Sequence, residues 1–284
     1  MEIKEISITD DIYPEYLKAI TDPPQKLYAI GNLELLRLPC IAIVGTRRAS
    51  PYGRWVAFEL AKRIAKVGVC IVSGMAEGID SCAHRGALAA EGKTIAVLGT
   101  GVDVCFPKSG ADIYRELSNC GLILSEYEPG SIGYPGNFPK RNRIISGLSR
   151  KVIVVEGAYK SGSMITARLA NEQGRDVYAV PGNINQPNSE GVNYLIYDGA
   201  IPILNIDSCL ETLGIETESH QQSLLNMSGS ERELYTYVRG NPGTEADKIL
   251  SDLLMSETVG LRLITAMELK GFLRREGNRV FVTI

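Results

Sequence analysis

From residue 41 onward, short runs of aliphatic and β-branched residues alternate with stretches in which apolar positions return every three to four residues. The runs Ile41–Val44, Cys70–Val72, Thr94–Leu98, Leu122–Leu124, Lys151–Val155 and Asp176–Ala179 are nearly continuous in their hydrophobicity, as strands covered on both faces are. Between them, Gly53–Val67, Ile79–Ala90, Ile113–Cys120 and Ser163–Gln173 carry the helical period. This alternation predicts an α/β fold, a parallel sheet with helices on both faces joined by right-handed crossovers.

The pattern changes at both ends. Residues 1–40, with Tyr13-Pro14 and Pro23-Pro24, predict an arm leading into a core over 41–213. Polar residues from Glu216 to Ser223 mark a linker at 214–229. Beyond it, helices over Ser230–Val238, Thr244–Leu253 and Glu257–Lys270 precede two short strands, Phe272–Arg275 and Val280–Ile284. Glu276-Gly277-Asn278 supplies the turn, with Gly277 or Asn278 at positive φ. Three helices and a hairpin predict a small winged-helix domain over 230–284.

Composition narrows the chemistry. A chain of 284 residues, 44% hydrophobic and 22% charged, buries a full core with room for a second, smaller domain. Cys40, Cys70, Cys82, Cys105, Cys120 and Cys209 are scattered, with no CxxC and no nearby histidine pair, which favours reduced, buried thiols over zinc or disulfides. No leader-like segment follows a basic start, and no apolar run approaches the ~18 residues that span a bilayer, so a cytoplasmic protein without membrane contact is expected. With 30 basic against 33 acidic residues the net charge is −3, so a DNA site has to be a local basic patch.

The loops after the strands supply such patches. Val44-Gly45-Thr46-Arg47-Arg48 stands where open α/β sheets hold ligands. Gly45 lets backbone approach an anion, and Arg47 and Arg48 add planar donors suited to phosphate; the competing reading is a turn glycine beside two solvated arginines. No GxGxxG follows, so no dinucleotide cofactor is expected. Ser73, Gly74 and Gly78 repeat the arrangement after the second strand, at another helix N-terminus. Asp80 and His84 stand one turn apart and, with no nucleophile beside them, read as a capping or core-side polar pair. Gly99 and Gly101 follow the third strand, and Lys108 either reaches the crevice of Arg47 or faces solvent. The densest basic cluster, Asn137-Phe138-Pro139-Lys140-Arg141-Asn142-Arg143, reads as a loop whose cations contact phosphates and whose ring stacks a base of a single strand. Lys160-Ser161-Gly162-Ser163, with Thr166 one turn in, forms a further anion-accepting helix start. The fold gathers these loops on one edge as a positive, amide-rich groove. It holds neither a nucleophile–base pair nor a carboxylate cluster for a metal, so neither catalysis nor a cofactor is expected.

The ordered motifs GTR, SGMAEGID with its following AH, GTGVD, FPKRNRIISGLS, KSGSMITA, GRDVYAVPG and NYLIYDGA closely resemble the DprA/Smf family over residues 13 to 204. The resemblance implies an extended Rossmann-like core, binding of single-stranded DNA, delivery of the recombinase RecA to that DNA during natural transformation, and a homodimer. By the same resemblance a DNA-contacting arginine falls on Arg47, a lysine on Lys108, and a basic FPxRNR segment on Phe138, Pro139, Arg141, Asn142 and Arg143. Three departures stand out. Thr46 replaces the usual serine and keeps the hydroxyl. Ser109-Gly110 replaces an asparagine-containing turn, which bears on the pose of Lys108. No room precedes residue 13 for the helical SAM-like domain that many members carry, so its DNA contact is expected to be absent.

Two other readings compete. The superfamily resembles the phosphoribohydrolases that activate cytokinins, whose PGGxGTxxE loop carries a catalytic glutamate; Lys160 to Arg168 holds none. A sensor of small nucleotides would use the same phosphate-ready groove. Apolar Leu195, Ile196, Ile201 and Ile203 exceed what one edge strand needs, and place the homodimer contact around Met164–Gln173 and Val192–Ile203. In the tail, the cations Arg232, Arg239, Lys248, Arg262, Lys270, Arg274, Arg275 and Arg279 are matched by Glu231, Glu233, Glu245, Asp247, Asp252, Glu257, Glu268 and Glu276. An auxiliary module is therefore expected there, with only the hairpin locally positive.

Overall fold

The computed structural model describes residues 2–215, 227–270 and 272–282. The chain divides into two compact units, Met1–Cys209 and Leu210–Ile284. The first is built on a nine-stranded sheet. Its elements in order are β1 (Lys4–Ser7), α1 (Glu15–Lys18), β2 (Lys26–Gly31), β3 (Cys40–Val44), α2 (Pro51–Lys66), β4 (Cys70–Ser73), α3 (Ile79–Ala89), β5 (Thr94–Val97), α4 (Ala111–Cys120), β6 (Leu122–Ser125), α5 (Asn137–Leu148), β7 (Lys151–Val154), α6 (Gly162–Glu172), β8 (Asp176–Ala179), α7 (Glu190–Tyr197) and β9 (Ile201–Pro202).

The sheet order is β1-β2-β6-β5-β4-β3-β7-β8-β9. From β6 to β9 every pair is parallel, with Ile41 opposite Ile71 on one side of β3 and opposite Lys151 on the other. Every residue of β3, β4, β5 and β6 is buried, which is why those strands read as unbroken apolar runs. Their few hydroxyls are tied to backbone: Ser73 Oγ donates to Ile43 O at 2.6 Å and Thr94 Oγ1 to Ile71 O at 2.8 Å. The chain steps outward from β3 through β4, β5 and β6, then returns to the opposite side of β3 with β7. The crevice beyond the carboxyl ends of β3 and β7 is thus the topological switch point, where sheets of this kind bind ligands.

Several features differ from expectation. The first forty residues contribute two strands: β2 pairs antiparallel with β6, Tyr28 opposite Ser125, and β1 pairs antiparallel with β2. Ile6, Leu17 and Leu27 are fully buried, so this segment is part of the core. The basic stretch 137–143 is the first half of helix α5, and its loop appearance came from Pro139 and its polar residues, both compatible with a first helical turn. The thiols are also less uniformly buried than expected: Cys40, Cys70 and Cys209 are buried, Cys82 and Cys105 intermediate, and Cys120 exposed.

A short helix, α8 (Cys209–Thr212), lies at the boundary of the two units. In the second, α9 (Gly229–Gly240), β10 (Thr244–Glu245), α10 (Ala246–Asp252), α11 (Glu257–Leu269), β11 (Leu273–Glu276) and β12 (Arg279–Val282) surround Leu234, Val238, Ile249, Ile264, Met267 and Val280. Ser228 and Glu231 cap α9 reciprocally. Thr244–Glu245, expected as helix, pairs instead with β12, and Gly277 takes φ +64° in the hairpin turn. Most of the 214–229 linker, and Thr283 and Ile284 of the last strand, lie outside the described residues.

Helices α2 and α3 pack closely because Gly86 has no side chain; a Cβ there would stand 2.2 Å from Phe58 O. Gly86→Ala is expected to force the helices apart and lower stability by about 1–3 kcal/mol in chemical denaturation; wild-type stability would show that the contact relaxes freely.

Candidate nucleic-acid interface

A cleft of about 410 Å³ opens at the switch point. The β3–α2 loop lines it with Gly45, Thr46, Arg47 and Arg48, α5 with Phe138, Arg141 and Asn142, and the start of α6 with Ser161, Gly162, Ser163 and Thr166. Ten of the sequence-predicted residues therefore meet in one place, and their neighbours explain how. Thr46 N donates to Glu156 O at 2.7 Å, an approach that leaves no space for a Cβ at Gly45, which would meet Ile79 Cγ1 at 2.5 Å. Gly78 takes φ +80° beneath the carbonyls of Thr46 and Arg47. These two glycines therefore serve loop-on-loop packing.

Phe138 forms the ring platform of the cleft. It packs against Gly99, where a Cβ would come within 2.9 Å, and lies 5.5 Å from the ring of Phe106, an aromatic residue that the sequence reading passed over. The exposed Arg47 guanidinium stands 5.4 Å from the Phe138 ring centroid. A cation and a ring side by side are what a nucleotide unit requires, one for phosphate and one for base.

The basic cluster itself divides. Lys140 is exposed, 3.5 Å from Glu126. Arg141 is buried: Nη1 donates to Gly74 O at 2.8 Å and to Val97 O, and Nε to Asn142 Oδ1 at 3.3 Å. Burial pushes its guanidinium down to about 10, opposed by nearby Asp80 and reinforced by Arg47. Asn142 Nδ2 donates to Gly162 O at 3.3 Å, linking α5 to α6. Arg143 is buried on the far side of α5, paired with Glu126 at 2.6 Å and Asp22 at 3.0 Å, and does not line the cleft. Expected as a phosphate contact, it instead anchors α5 to the N-terminal segment, because its helical position turns it toward these carboxylates.

The remaining predicted residues lie around the cleft. Ser73 and Gly74 are buried, with Gly74 backed by Arg141. Gly101 packs against the 128–130 turn, where a Cβ would meet Glu128 O at 2.7 Å. Lys108 and Lys160 are exposed on the β5–α4 and β7–α6 connections.

Two carboxylates occupy helix starts that had seemed open to an anion. Asp80 Oδ2 accepts from Gly74 N at 3.2 Å and Ala76 N at 3.3 Å; burial raises its carboxyl above the usual range, against the pull of Arg141 and these amides. Glu156, just past β7, accepts from Ser50 N at 2.9 Å and from Ser50 Oγ at the start of α2. Nothing in its local sequence marks it, since its partner is 106 residues away. The start of α6 has no acidic residue in its first turn; Ser161 and Ser163 face each other there at 2.8 Å and Gly162 is exposed. It is the helix start in the cleft lining best placed for a phosphate.

His84 is not paired with Asp80. Its Nδ1 donates to Thr94 Oγ1 at 2.7 Å, since that hydroxyl's own proton goes to Ile71 O. Burial, then Arg141, pushes the imidazole down to about 3.

A family model described as DNA recombination-mediator protein A matches residues 4–214. The DNA processing protein DprA of Streptococcus pneumoniae is 48% identical over 200 residues, 68% of each chain. Protein Smf of Synechocystis is 44% identical over 210 residues, 72% of this chain and 52% of that one. The chain thus spans about half to two thirds of these relatives' length. The X-ray structure of pneumococcal DprA superposes with a TM-score of 0.71 at 44% identity over 74% of both chains. That of Helicobacter pylori DprA, which describes a single-stranded DNA binding mode, superposes at 0.69 with 36% identity over 75% of this chain and 96% of that one.

Two outcomes test this geometry. Arg143→Ala is expected to cost about 3 kcal/mol in denaturation, because it strands Glu126 largely buried without its closest partner, whereas Arg47→Ala stays within about 0.5 kcal/mol of wild type; equal costs would refute the split. The second concerns pH. Since folded His84 titrates near 3 and an unfolded histidine near 6.5, the unfolded chain binds the proton first as pH falls. Stability is therefore full above about pH 6.5 and declines toward pH 5 by at most about 1.4 kcal/mol per unit. His84→Leu should flatten that slope in urea titrations at fixed pH, and an unchanged slope would assign it to other groups.

Proposed function

Because the chain belongs to the DNA recombination-mediator protein A family, the DprA/Smf proteins, we propose that it binds single-stranded DNA in the cleft at the β3–β7 switch point and acts in recombination and transformation by holding that strand. One observation carries the reading: exposed Arg47 beside the Phe138 ring, facing the open start of α6. Phosphate goes to the arginine and the helix amides and a base to the ring, with no hydrogen-bond readout of sequence. Exposed Arg48, Lys108, Lys140 and Lys160 extend the positive track. The H. pylori relative described as binding single-stranded DNA supports this assignment.

The role is one of binding. The S. pneumoniae relative is named a DNA processing protein, and the Lys160–Arg168 segment lacks the glutamate of the phosphoribohydrolase loop. A small-nucleotide sensor would use the same open start of α6, but it would leave the exposed cations Arg48, Lys108, Lys140 and Lys160 without an anion to meet. Delivery of the RecA recombinase by a homodimer completes the proposal, in the cytoplasm; among the described residues no helix is long and apolar enough to cross a membrane. The apolar argument for the dimer shifts, however. Leu195 and Ile203 are buried in the unit's own core and Ile196 packs against it, whereas Tyr197, Leu204 and Ile201 stand 88%, 79% and 42% exposed. These three support an outer contact. The second unit serves as an auxiliary, winged-helix module: Arg274 pairs with Glu276 and Arg275 with Glu268 at 2.7 Å, which reduces the positive field of the hairpin.

Fluorescence anisotropy with labelled poly-dT tests the function. Single strands are expected to bind more tightly than duplex, with affinity falling steeply as salt rises. Arg47→Ala and Lys108→Ala should each weaken binding and shallow the logarithmic salt slope by about one. Unchanged affinity and slope in both variants would overturn the cleft assignment.

A further inference from the structure

Helix α2 opens with Ser50 as its N-cap: Gly53 N donates to Ser50 Oγ at 3.0 Å. In a capping box, a glutamate three residues after the cap returns to accept from the cap's own N–H. Here that third position is Gly53, and Glu156 from the end of β7 supplies the carboxylate. It accepts from Ser50 N at 2.9 Å and from Ser50 Oγ, while its own carbonyl accepts from Thr46 N at 2.7 Å. One residue thus holds both ends of the loop that carries Arg47 and Arg48. Asn188, bonded to Gly157 N through its carbonyl at 2.7 Å, holds the middle, donating from Nδ2 to Arg48 O at 2.8 Å. The residue at the third position must be glycine for this to work: a Cβ on Gly53 would lie 2.4–2.8 Å from the Glu156 carboxyl atoms, which are its three nearest neighbours.

We infer that Glu156 is a positioning residue of the DNA site. Its carboxylate completes the α2 cap from another strand and so sets the Thr46–Ser50 loop, presenting Arg47 beside Phe138; by filling that helix start it also leaves α6 to receive the strand's phosphate. This rests on the single-strand reading above. The consequence is that Glu156, an anion six per cent exposed, favours binding of a polyanion although it never touches it. A chain ordered in advance loses less entropy on binding than a loop that must be fixed by the ligand.

The experiment uses the full chain and labelled poly-dT. Glu156→Ala is expected to weaken binding about tenfold. Glu156→Gln, whose amide oxygen still accepts from Ser50, should stay within about threefold of wild type. If Glu156 acts through Arg47, then adding Glu156→Ala to Arg47→Ala costs no more than about a further threefold. Gly53→Ala is the independent arm. Alanine favours a helix over glycine by about 1 kcal/mol, so the fold is retained while the added methyl evicts the carboxylate. Its loss should match that of Glu156→Ala, and the double variant should be no worse than either. The inference fails if Gly53→Ala binds as wild type, if Glu156→Gln loses as much as Glu156→Ala, or if the losses from Glu156 and Arg47 multiply. A wild-type chain that does not bind poly-dT removes the single-strand reading itself, before any variant is compared.

Discussion

A parallel sheet brings all its carboxyl ends to one edge, and the polar groups gathered there need partners once helices cover both faces. In this protein the partners are charged side chains drawn from other elements. Arg141 reaches from α5 to the carbonyls of Gly74 and Val97. Asp80 takes the amides of Gly74 and Ala76, and Glu156 the amide of Ser50. These groups fix where the loops after β3, β4 and β7 run. The shape of the cleft follows from them, because the positions of Gly45, Gly78 and Phe138 depend on the loops they hold in contact.

The same requirement divides the cations. Those whose donors are committed to the protein, Arg141 and Arg143, build the cleft floor and anchor α5. Those left at the rim, Arg47 and Arg48 above all, are free to meet an anion. Burying a guanidinium demands nearly complete pairing, and a group so paired has few donors left for a ligand. Electrostatically Arg141 still acts on the cleft, since its charge pulls the Asp80 carboxyl down against the effect of burial. It contributes field to the cleft, whereas Arg47 stands exposed at the rim.

The second unit follows simpler rules. Its capping box, its amphipathic helices and its hairpin glycine are local devices, and its charges neutralise one another along the chain. That pattern gives a small stable module with little field of its own, in contrast to the first unit, where an acidic chain concentrates exposed cations at one edge.

Much of this was legible in the residue order. Unbroken apolar runs such as Cys70–Val72, set between stretches of helical period such as Gly53–Val67, point to central strands, and loops after parallel strands converge by topology, so the meeting of Gly45–Arg48 with Ser161–Ser163 was predictable. Three things were not. The strands β1 and β2 are short and lie at an antiparallel edge, and β2 is joined to the rest of the sheet by pairing with the distant β6, Tyr28 opposite Ser125. Helix α5 hides behind Pro139 and a dense charge run, since sequence shows the cations but not which face of a helix turns them inward. Glu156 caps a helix that begins 105 positions earlier in the chain. Periodicity and turn chemistry act over a few residues and are written in order; whether a charge is a ligand contact or a structural tie depends on what the folded chain places opposite it, and that is decided only in three dimensions.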